Sequence, residues 1–418
     1  MRNVTDLLRE RNFALLFAGR CTSFLGNAMA PVALAFAVLH LTDSASALGV
    51  VLAARMAPHV ILLAVGGVIA DRVPRNLVLV GSNLVAGSSQ AVVAVLLISG
   101  NAEIWHLVVL EAINGGASAI FYPADTSVVP LTVPEHRLQA ANAFLRMGTN
   151  MIMILGAAAA GISVAAFNAG WTIAIDAATF FVAAAFLSQM RGIRAAAAAG
   201  SSIIADLRDG WSEFTSHRWL WAIVVQFTIV LIGFFGTFMV LGPLVAEREF
   251  SGARAWAAIL AGQSIGFMAG GFVALRWRPS RPILMATFSV FLNALPLAAM
   301  AMGLPLSLVV GAAVVNGVGV ELFNVFWYTA LHENVAPEAL SRVSAYDALG
   351  SVALAPLGLA AAGPVADRIG LDAALWVGVC MVVIPTALVL LVPEVRSLRA
   401  RRLQVTLAPE AVAVAAET

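Results

Sequence analysis

Apolar residues in this chain run in long blocks, broken by short polar stretches. Read by hydropathy, the blocks fall at 12–39, 46–70, 77–99, 104–126, 138–166 and 170–190, then at 219–245, 255–277, 281–303, 306–330, 343–366 and 372–393. A helix of about 20 residues crosses a hydrocarbon core of roughly 30 Å, and each block reaches or exceeds that length. The pattern predicts an all-α integral membrane protein of twelve transmembrane helices. The longest polar interruption, 191–218, divides the blocks six and six.

Composition agrees. Of 418 residues, 61% are hydrophobic and 11% charged, against ~25% charged in an ordinary soluble domain. A net charge of +1 gives no reason to expect nucleic acid as a partner. Arg2, Arg9 and Arg11 lead into a first block too long for a cleaved signal segment. Cys21 and Cys380 lie far apart in apolar blocks and read as small core residues.

All 24 basic residues are arginine. Without lysine the chain has no P-loop for ATP and no Schiff-base site for retinal or pyridoxal phosphate, so no cofactor is expected. The arginines also set topology. With a cytoplasmic N-terminus only Arg248, Arg254 and Arg368 fall in outside loops, Arg20, Arg55 and Arg146 fall within blocks, and the remaining 18 face the cytoplasm. Both termini are therefore expected inside. Trp105, Trp171, Trp219, Trp221, Trp256 and Trp277 stand near block ends, as interfacial anchors do.

The expected units are a six-helix half at 1–190, a cytoplasmic linker at 191–218, a second half at 219–393 and a disordered tail at 394–418. In the linker, Ile203, Leu207, Trp211 and Phe214 recur at helical spacing among acids and arginine, which predicts an amphipathic helix on the membrane surface. The halves repeat: Asn114-Gly115 matches Asn316-Gly317, Pro134-Glu135 matches Pro337-Glu338, and Gly148 matches Gly350, at offsets of 202, 203 and 202. Two pseudo-symmetric six-helix halves are a transporter architecture.

Between the second and third blocks runs Gly67-Val68-Ile69-Ala70-Asp71-Arg72-Val73-Pro74-Arg75. Its Gly-x-x-x-Asp-Arg-x-x-Arg spacing resembles the signature loop between helices 2 and 3 of the major facilitator superfamily, with Pro74 where glycine is usual. Phe121-x-Pro123-Ala124, Pro130, Val133-Pro134 and Ala141-Asn142-Ala143 resemble the helix 4 to 5 connection of its enterobactin-exporter and macrolide-efflux branch. Glu321-Leu322-Phe323-Asn324-Val325 and Arg342-Val343-Ser344-Ala345-Tyr346-Asp347 resemble the corresponding connection of the second half. Two stretches depart from drug-antiporter relatives: Gly156 to Gly161 on helix 5, where a Gly-Pro motif is usual, and Gly26-Asn27 on helix 1, where Gly-Asp is common.

The resemblance implies the major facilitator fold and export of a small amphipathic molecule by alternating access. It also implies a latch of Asp71, Arg72, Arg75 and Asp125: Asp71 at the helix 2–3 turn meets the free N–H groups at the start of helix 11 near Ser344, and Arg75 pairs with Asp125 at the end of helix 4. That contact would form when the cytoplasmic mouth closes.

Charge inside a membrane span costs at least ~2.5–3.5 kcal/mol, so it lines water or finds a partner. Arg20, Arg55, Glu111, Arg146, Asp176, Glu321 and Asp347 lie within blocks. By the resemblance, helices 4 and 10 line the central cavity, which makes Glu111 and Glu321 the first candidates for proton or substrate contact. Arg146, with Asn142 and Asn150, forms a polar stripe on helix 5 suited to an anionic group or a carboxylate. Asp347, about one turn into helix 11, suits a structural role as well as a proton one; Arg20 and Asn27 complete the candidates. Asp176 reads as an acid near the N-terminus of helix 6. His59 has no metal-ligand pattern around it.

The expected function is secondary active export of a small amphipathic molecule, a drug, an antibiotic or a siderophore-like compound, by proton antiport. It would be performed by a monomer in a bacterial cytoplasmic membrane. An importer of a small metabolite is the alternative within transport. A lipid-acting membrane enzyme is the alternative outside it, and no nucleophile–base constellation supports an enzyme.

Overall fold

The computed structural model describes residues 7–191 and 211–399, apart from the side chains at 63–72, 154, 337, 338, 341, 342 and 345. Among the described residues, twelve helices are long and apolar enough to cross a membrane. In the first half they are α1 (Arg11–Thr42), α2 (Ala45–Arg72), α3 (Arg75–Ile98), α4 (Ile104–Val128), α5 (Leu138–Phe167) and α6 (Ala169–Ser188). In the second half they are α7 (Arg218–Glu249), α8 (Ala253–Arg276), α9 (Pro282–Ala301) and α10 (Leu306–Asn334), then α11 and α12 (Leu371–Val389). The α11 span is built of two pieces, Pro337–Val352 and Ala355–Ile369. The chain is a multi-pass membrane protein built of two six-helix halves. Each helix runs back against the one before, so one face of the bundle, the Asp43 end, gathers the α1–α2, α7–α8 and α11–α12 turns. The opposite face is the Asp125 end.

Short turns impose this reversal. Asp43 takes a left-handed backbone (φ 49°) after α1, and the Ser44 hydroxyl accepts a hydrogen bond from the Ala47 N–H at 3.2 Å, capping α2. Between α5 and α6 a single residue, Asn168 (φ 99°), makes the turn and caps α6 through the Trp171 N–H. Within α7 a π-helical turn at Thr237–Leu241 precedes Gly242, whose missing side chain leaves room for the Trp256 ring.

The sequence repeat is a structural one. In the first half α2 packs along α4, and Gly115 lies against the Arg55 carbonyl; in the second half α8 packs along α10, and Gly317 lies against the Gln263 carbonyl. A side chain at either glycine would strike backbone, so small residues let the helices touch.

Four details differ from the sequence expectation. First, α11 begins at Pro337, because proline is well placed in a first helical turn, so Ser344 and Asp347 lie two and nearly three turns inside it. The N–H groups near Ser344 are therefore not the free ones. Second, Asp176 is the eighth residue of α6, fully buried and beyond the reach of the helix N-terminus. Third, Trp219 and Trp256 are buried in protein contacts, whereas Trp105, Trp171, Trp221 and Trp277 are exposed. Fourth, Cys380 faces outward from α12.

Of the predicted linker helix, residues 203–210 lie outside the described residues. Its end is helical, and Trp211 and Phe214 pack on the Tyr346 ring of α11 at 5.5 and 5.9 Å. The tail beyond 399 also lies outside the described residues.

The halves meet at the Asp43 end. Gly49 of α2 lies against the Leu359 carbonyl, Gly363 of α11 against the backbone of Ala45 and Ser46, and Gly161 of α5 against Ala253 and Ala257 of α8. Polar contacts ring this seam: Ser46 donates to Asp367 at 2.6 Å, Arg248 lies 3.7 Å from Asp43, and His40 lies 3.4 Å from Glu247. Toward the Asp125 end the first piece of α11 packs on α7 and α10 of its own half. Tyr122 and Tyr328, one from each half, are within electrostatic reach of each other yet 54% and 51% exposed, so they border open space. The molecule is closed at the Asp43 end and open at the other.

Candidate functional site

A cavity of about 320 Å³ lies between the halves, on the open side of the Gly49–Leu359 contact. Ligand pockets run from roughly 300 to 1,000 Å³, so it suits a small organic molecule. Leu52, Arg55, Met56 and His59, at successive turns of α2, form one wall with Pro31 and Gly115. Phe235 and Met239 of α7, Trp256 of α8 and Leu359 of α11 form the other. The surface is apolar, aromatic and sulfur-rich around one guanidinium.

Arg55 is held from behind. Its Nη1 lies 3.3 Å from a Glu111 carboxylate oxygen, and its Nη2 donates to the Asn27 side-chain oxygen at 2.9 Å. The second Glu111 oxygen accepts from the Gln90 side-chain amide at 2.8 Å. Glu111 is 1% exposed and does not reach the cavity, so in this state it serves as counter-ion to the residue that does. Asp176 completes the cluster. It is packed where Gly26 has no side chain, within electrostatic reach of Arg55 and Glu111, and neither of its oxygens has a hydrogen-bond partner among the described residues.

The second half carries a neutral counterpart. Gln263 donates to Asn316 at 2.7 Å, and Asn316 donates to Asn293 at 2.8 Å. Asn316 repeats Asn114, Asn293 stands 203 residues after Gln90, and Gln263 occupies the place of Arg55 against the paired glycine. The position 202 residues after Glu111 is Ala313. One half thus holds buried charge where the other holds an amide ladder.

Nearer the open mouth, Asn142, Arg146 and Asn150 form an exposed stripe on α5, as their spacing predicts. Arg146 makes no ion pair within 4 Å among the described residues; it acts electrostatically on Glu321 and Tyr328 of the other half. Glu321 is half-buried against Gly270 and Gly271 of α8. Asp347 is buried and accepts from the Trp327 indole at 2.9 Å, which ties α11 to α10.

The latch residues divide. The side chains of Asp71 and Arg72 lie outside the described residues. Asp125 is 1% exposed and lies 3.3 Å from Arg20 in this state, whereas its expected pairing with Arg75 belongs to a closed mouth at this end. Asp125 points into its own half, where α1 brings Arg20 beside it, and Arg20 also sits over the Phe24 ring at 5.5 Å. The Arg75 Nε is buried without a hydrogen-bond partner among the described residues. Sequence reasoning noted Arg55 as an intramembrane charge but did not place it in the site. Its signal was the polar pattern Asn27, Arg55, Gln90, Glu111, one residue on each of four neighbouring helices.

A model of the Major Facilitator Superfamily matches residues 16–356. The chain belongs to that superfamily. Superfamily members carry small molecules across membranes and are not enzymes. The chain is similar to macrolide efflux protein A of Streptococcus pyogenes, 23% identical over 369 residues covering 86% of this chain and 90% of that protein. It is also similar to the multidrug efflux pump Tap of Mycolicibacterium fortuitum, 28% identical over 389 residues covering 88% and 92%. Among solved structures, the nucleoside transporter NupG matches with a TM-score of 0.69 at 15% identity, over 92% of this chain and 100% of that one. A bacterial homolog of the human lysosomal transporter Spinster, in an inward-facing unoccupied conformation, matches at 0.66 and 16% identity, over 91% and 96%. At those identities the structures show the shared fold alone.

Proposed function

We propose that this superfamily member exports a small amphipathic organic molecule from the cytoplasm by alternating access, driven by proton influx. The observation that carries the reading is the cavity between the halves, sealed at one mouth, apolar on most of its wall and bearing a single charge-compensated arginine. Such a surface favours an amphipathic ligand, because flat apolar groups bury against Trp256, Phe235 and the methionines while a polar group meets Arg55. Relatives named as macrolide and multidrug efflux proteins support the direction and the substrate class. The arginine bias supports an Asp125 end in the cytoplasm of a bacterial cell, with both termini inside; on that orientation the state described is open inward. The intramembrane carboxylates Glu111, Asp176, Glu321 and Asp347 supply groups that can carry protons, and the chain works as a monomer.

The test uses everted membrane vesicles holding an acid interior. Addition of a cationic or neutral amphipathic antibiotic should release protons from wild-type vesicles and not from vesicles lacking the protein. Uptake of a metabolite into right-side-out cells, with no drug-dependent proton release in everted vesicles, would reverse the direction to import.

A further inference from the structure

Two carboxyl groups share one guanidinium inside the first half. Glu111 has a bond to each of its oxygens, from Arg55 at 3.3 Å and from Gln90 at 2.8 Å, and accounts for the arginine charge. Asp176 is fully buried, and neither of its oxygens has a hydrogen-bond partner among the described residues. Its carboxyl group and the Thr179 hydroxyl stand where a side chain at Gly26 would be. The Thr179 hydrogen is already given to the Asp176 backbone carbonyl at 2.7 Å. A bare carboxylate without one bond is the costliest form of this group in a membrane span, and the neutral acid costs far less.

No second cation reaches this place. Arg55 of α2 and Glu111 of α4 are the charges that act on Asp176. His59, one turn beyond Arg55, lines the central cavity. α6 packs on α3, α1 and α5. The titratable residue of α3 is Arg75, at its first position, and that of α5 is Arg146, exposed near the open mouth. On α1, Arg20 and Cys21 lie more than a turn from Gly26 toward the Asp125 end, where Arg20 is 3.3 Å from Asp125.

On the Asp125 side of the cluster the first half holds a cavity of about 20 Å³, room for about one water. Ser23 and Asn27 of α1, Ser82 and Asn83 of α3 and Ser118 of α4 give it a polar wall, which Phe180, one turn from Asp176, adjoins. Asn27 also accepts from Arg55, so cavity and cluster share a residue.

We propose that Asp176 is the proton-carrying group of this transporter, loaded in the state described, and that the polar cavity is its relay to the Asp125 mouth. Release breaks the Asp176 O–H bond and forms one on a water in that cavity, which passes its proton to bulk water. The carboxylate left behind competes with Glu111 for Arg55, and Arg55 borders the central cavity, so its position joins the two events. Glu111 is the fixed counter-ion, Asp176 changes charge, and the proton route runs apart from the drug route. The inference rests on the proton-antiport part of the proposed function and names the group that part requires.

Infrared difference spectra of the full chain in lipid vesicles, at neutral pH and without drug, read a protonated carboxyl through its C=O stretch. The wild-type minus Asp176→Asn spectrum should show a carboxylic-acid band that shifts in deuterium oxide. Glu111→Gln should lose that band, because Asp176 becomes the sole counter-ion of Arg55; where Asp176→Asn folds poorly, the wild-type minus Glu111→Gln spectrum reports the same band. Ser82→Val with Asn83→Leu, which gives the cavity a hydrocarbon wall, should keep the band and slow its deuterium shift about tenfold, the scale of one hydrogen bond withdrawn from the path. Absence of the band from wild type overturns the proton site, and its survival in Glu111→Gln overturns the sharing of Arg55. Unchanged exchange in the cavity variant overturns the relay. The expected spectra in everted vesicles that release no protons with erythromycin or chloramphenicol would keep the site and refute antiport of either drug. Undiminished drug-dependent release in Asp176→Asn would keep export and refute the site.

Discussion

Arg55 and Glu111 face each other at 3.3 Å, but only Arg55 borders the central cavity. Glu111, fully buried, fixes the guanidinium from the protein side; Asn27 accepts a second bond from Arg55, and Gln90 donates to the other Glu111 oxygen. A ligand in the cavity therefore meets a cation whose charge is already compensated, and any group that draws Arg55 forward uncovers Glu111. Under the proposed function, this would link substrate occupancy to the state of a buried carboxylate without direct contact between them.

The pair predicts a separation of binding from coupling. Glu111→Gln keeps shape and hydrogen bonding while removing the charge change, so the variant should still bind drug but lose drug-dependent proton release. Arg55→Ala should do more harm to folding, because it leaves Glu111 buried and unpaired at a cost of about 3 kcal/mol or more. Thermal denaturation with and without drug, beside proton release from everted vesicles, checks both. Wild-type proton release in Glu111→Gln would remove Glu111 from the coupling path.

Arg146 is expected to behave differently. It is exposed at the open mouth and makes no ion pair within 4 Å among the described residues, so Arg146→Ala should change stability by less than about 1 kcal/mol. Its effect should fall on ligands by charge: anionic amphiphiles should bind more weakly and neutral ones nearly unchanged, while Glu321→Gln should weaken cationic ones instead. Binding titrations with a matched charged and neutral pair measure this. Equal losses for all ligands together with poor folding would make Arg146 a structural residue.

Much of the architecture was legible beforehand. Block lengths located the helices, and the repeated Asn-Gly pairs marked glycines that perform the same packing in each half. The polar stripe on α5 was readable because its spacing matches a helix period. Glu111 was placed on the cavity wall by family resemblance, yet it faces its own half. In an apolar span the sequence does not say which side faces lipid, partner helix or cavity. The start of α11 was set too late because hydropathy locates the apolar part of a helix, whereas Pro337 begins it in polar sequence.

Asp347 offers a test of structure against function. The Trp327 indole donates to its carboxylate at 2.9 Å, and Trp327 packs on Phe323 and Trp219. Asp347→Asn retains an acceptor oxygen and should fold and transport almost as the wild type does. Asp347→Leu leaves the indole N–H buried and unpaired, at a cost of about 1–3 kcal/mol, and should lower the melting temperature. If Asp347→Asn instead abolishes proton release while melting normally, the carboxylate carries protons.

Two glycines separate packing at the seam from helix propensity. Gly363 touches the backbone of Ala45 and Ser46, while Gly311, in the second turn of α10, has nothing within 4 Å of where its Cβ would stand. Gly311→Ala should therefore leave transport intact and stabilise the helix by up to about 1 kcal/mol. Gly363→Ala gains the same propensity but cannot keep the present contact, since the atoms in its way are backbone and have no alternative rotamer. The Asp43 mouth should open, making a cysteine introduced by Ser44→Cys reactive toward a membrane-impermeant maleimide applied from outside. Transport should fall because the inward-open state is lost, even though the helix itself is the better former. If Gly363→Ala transports normally and the mouth stays unreactive, the seam between α2 and α11 is looser than the contact implies, and the closure must be held elsewhere, at Gly161 against Ala253 and Ala257.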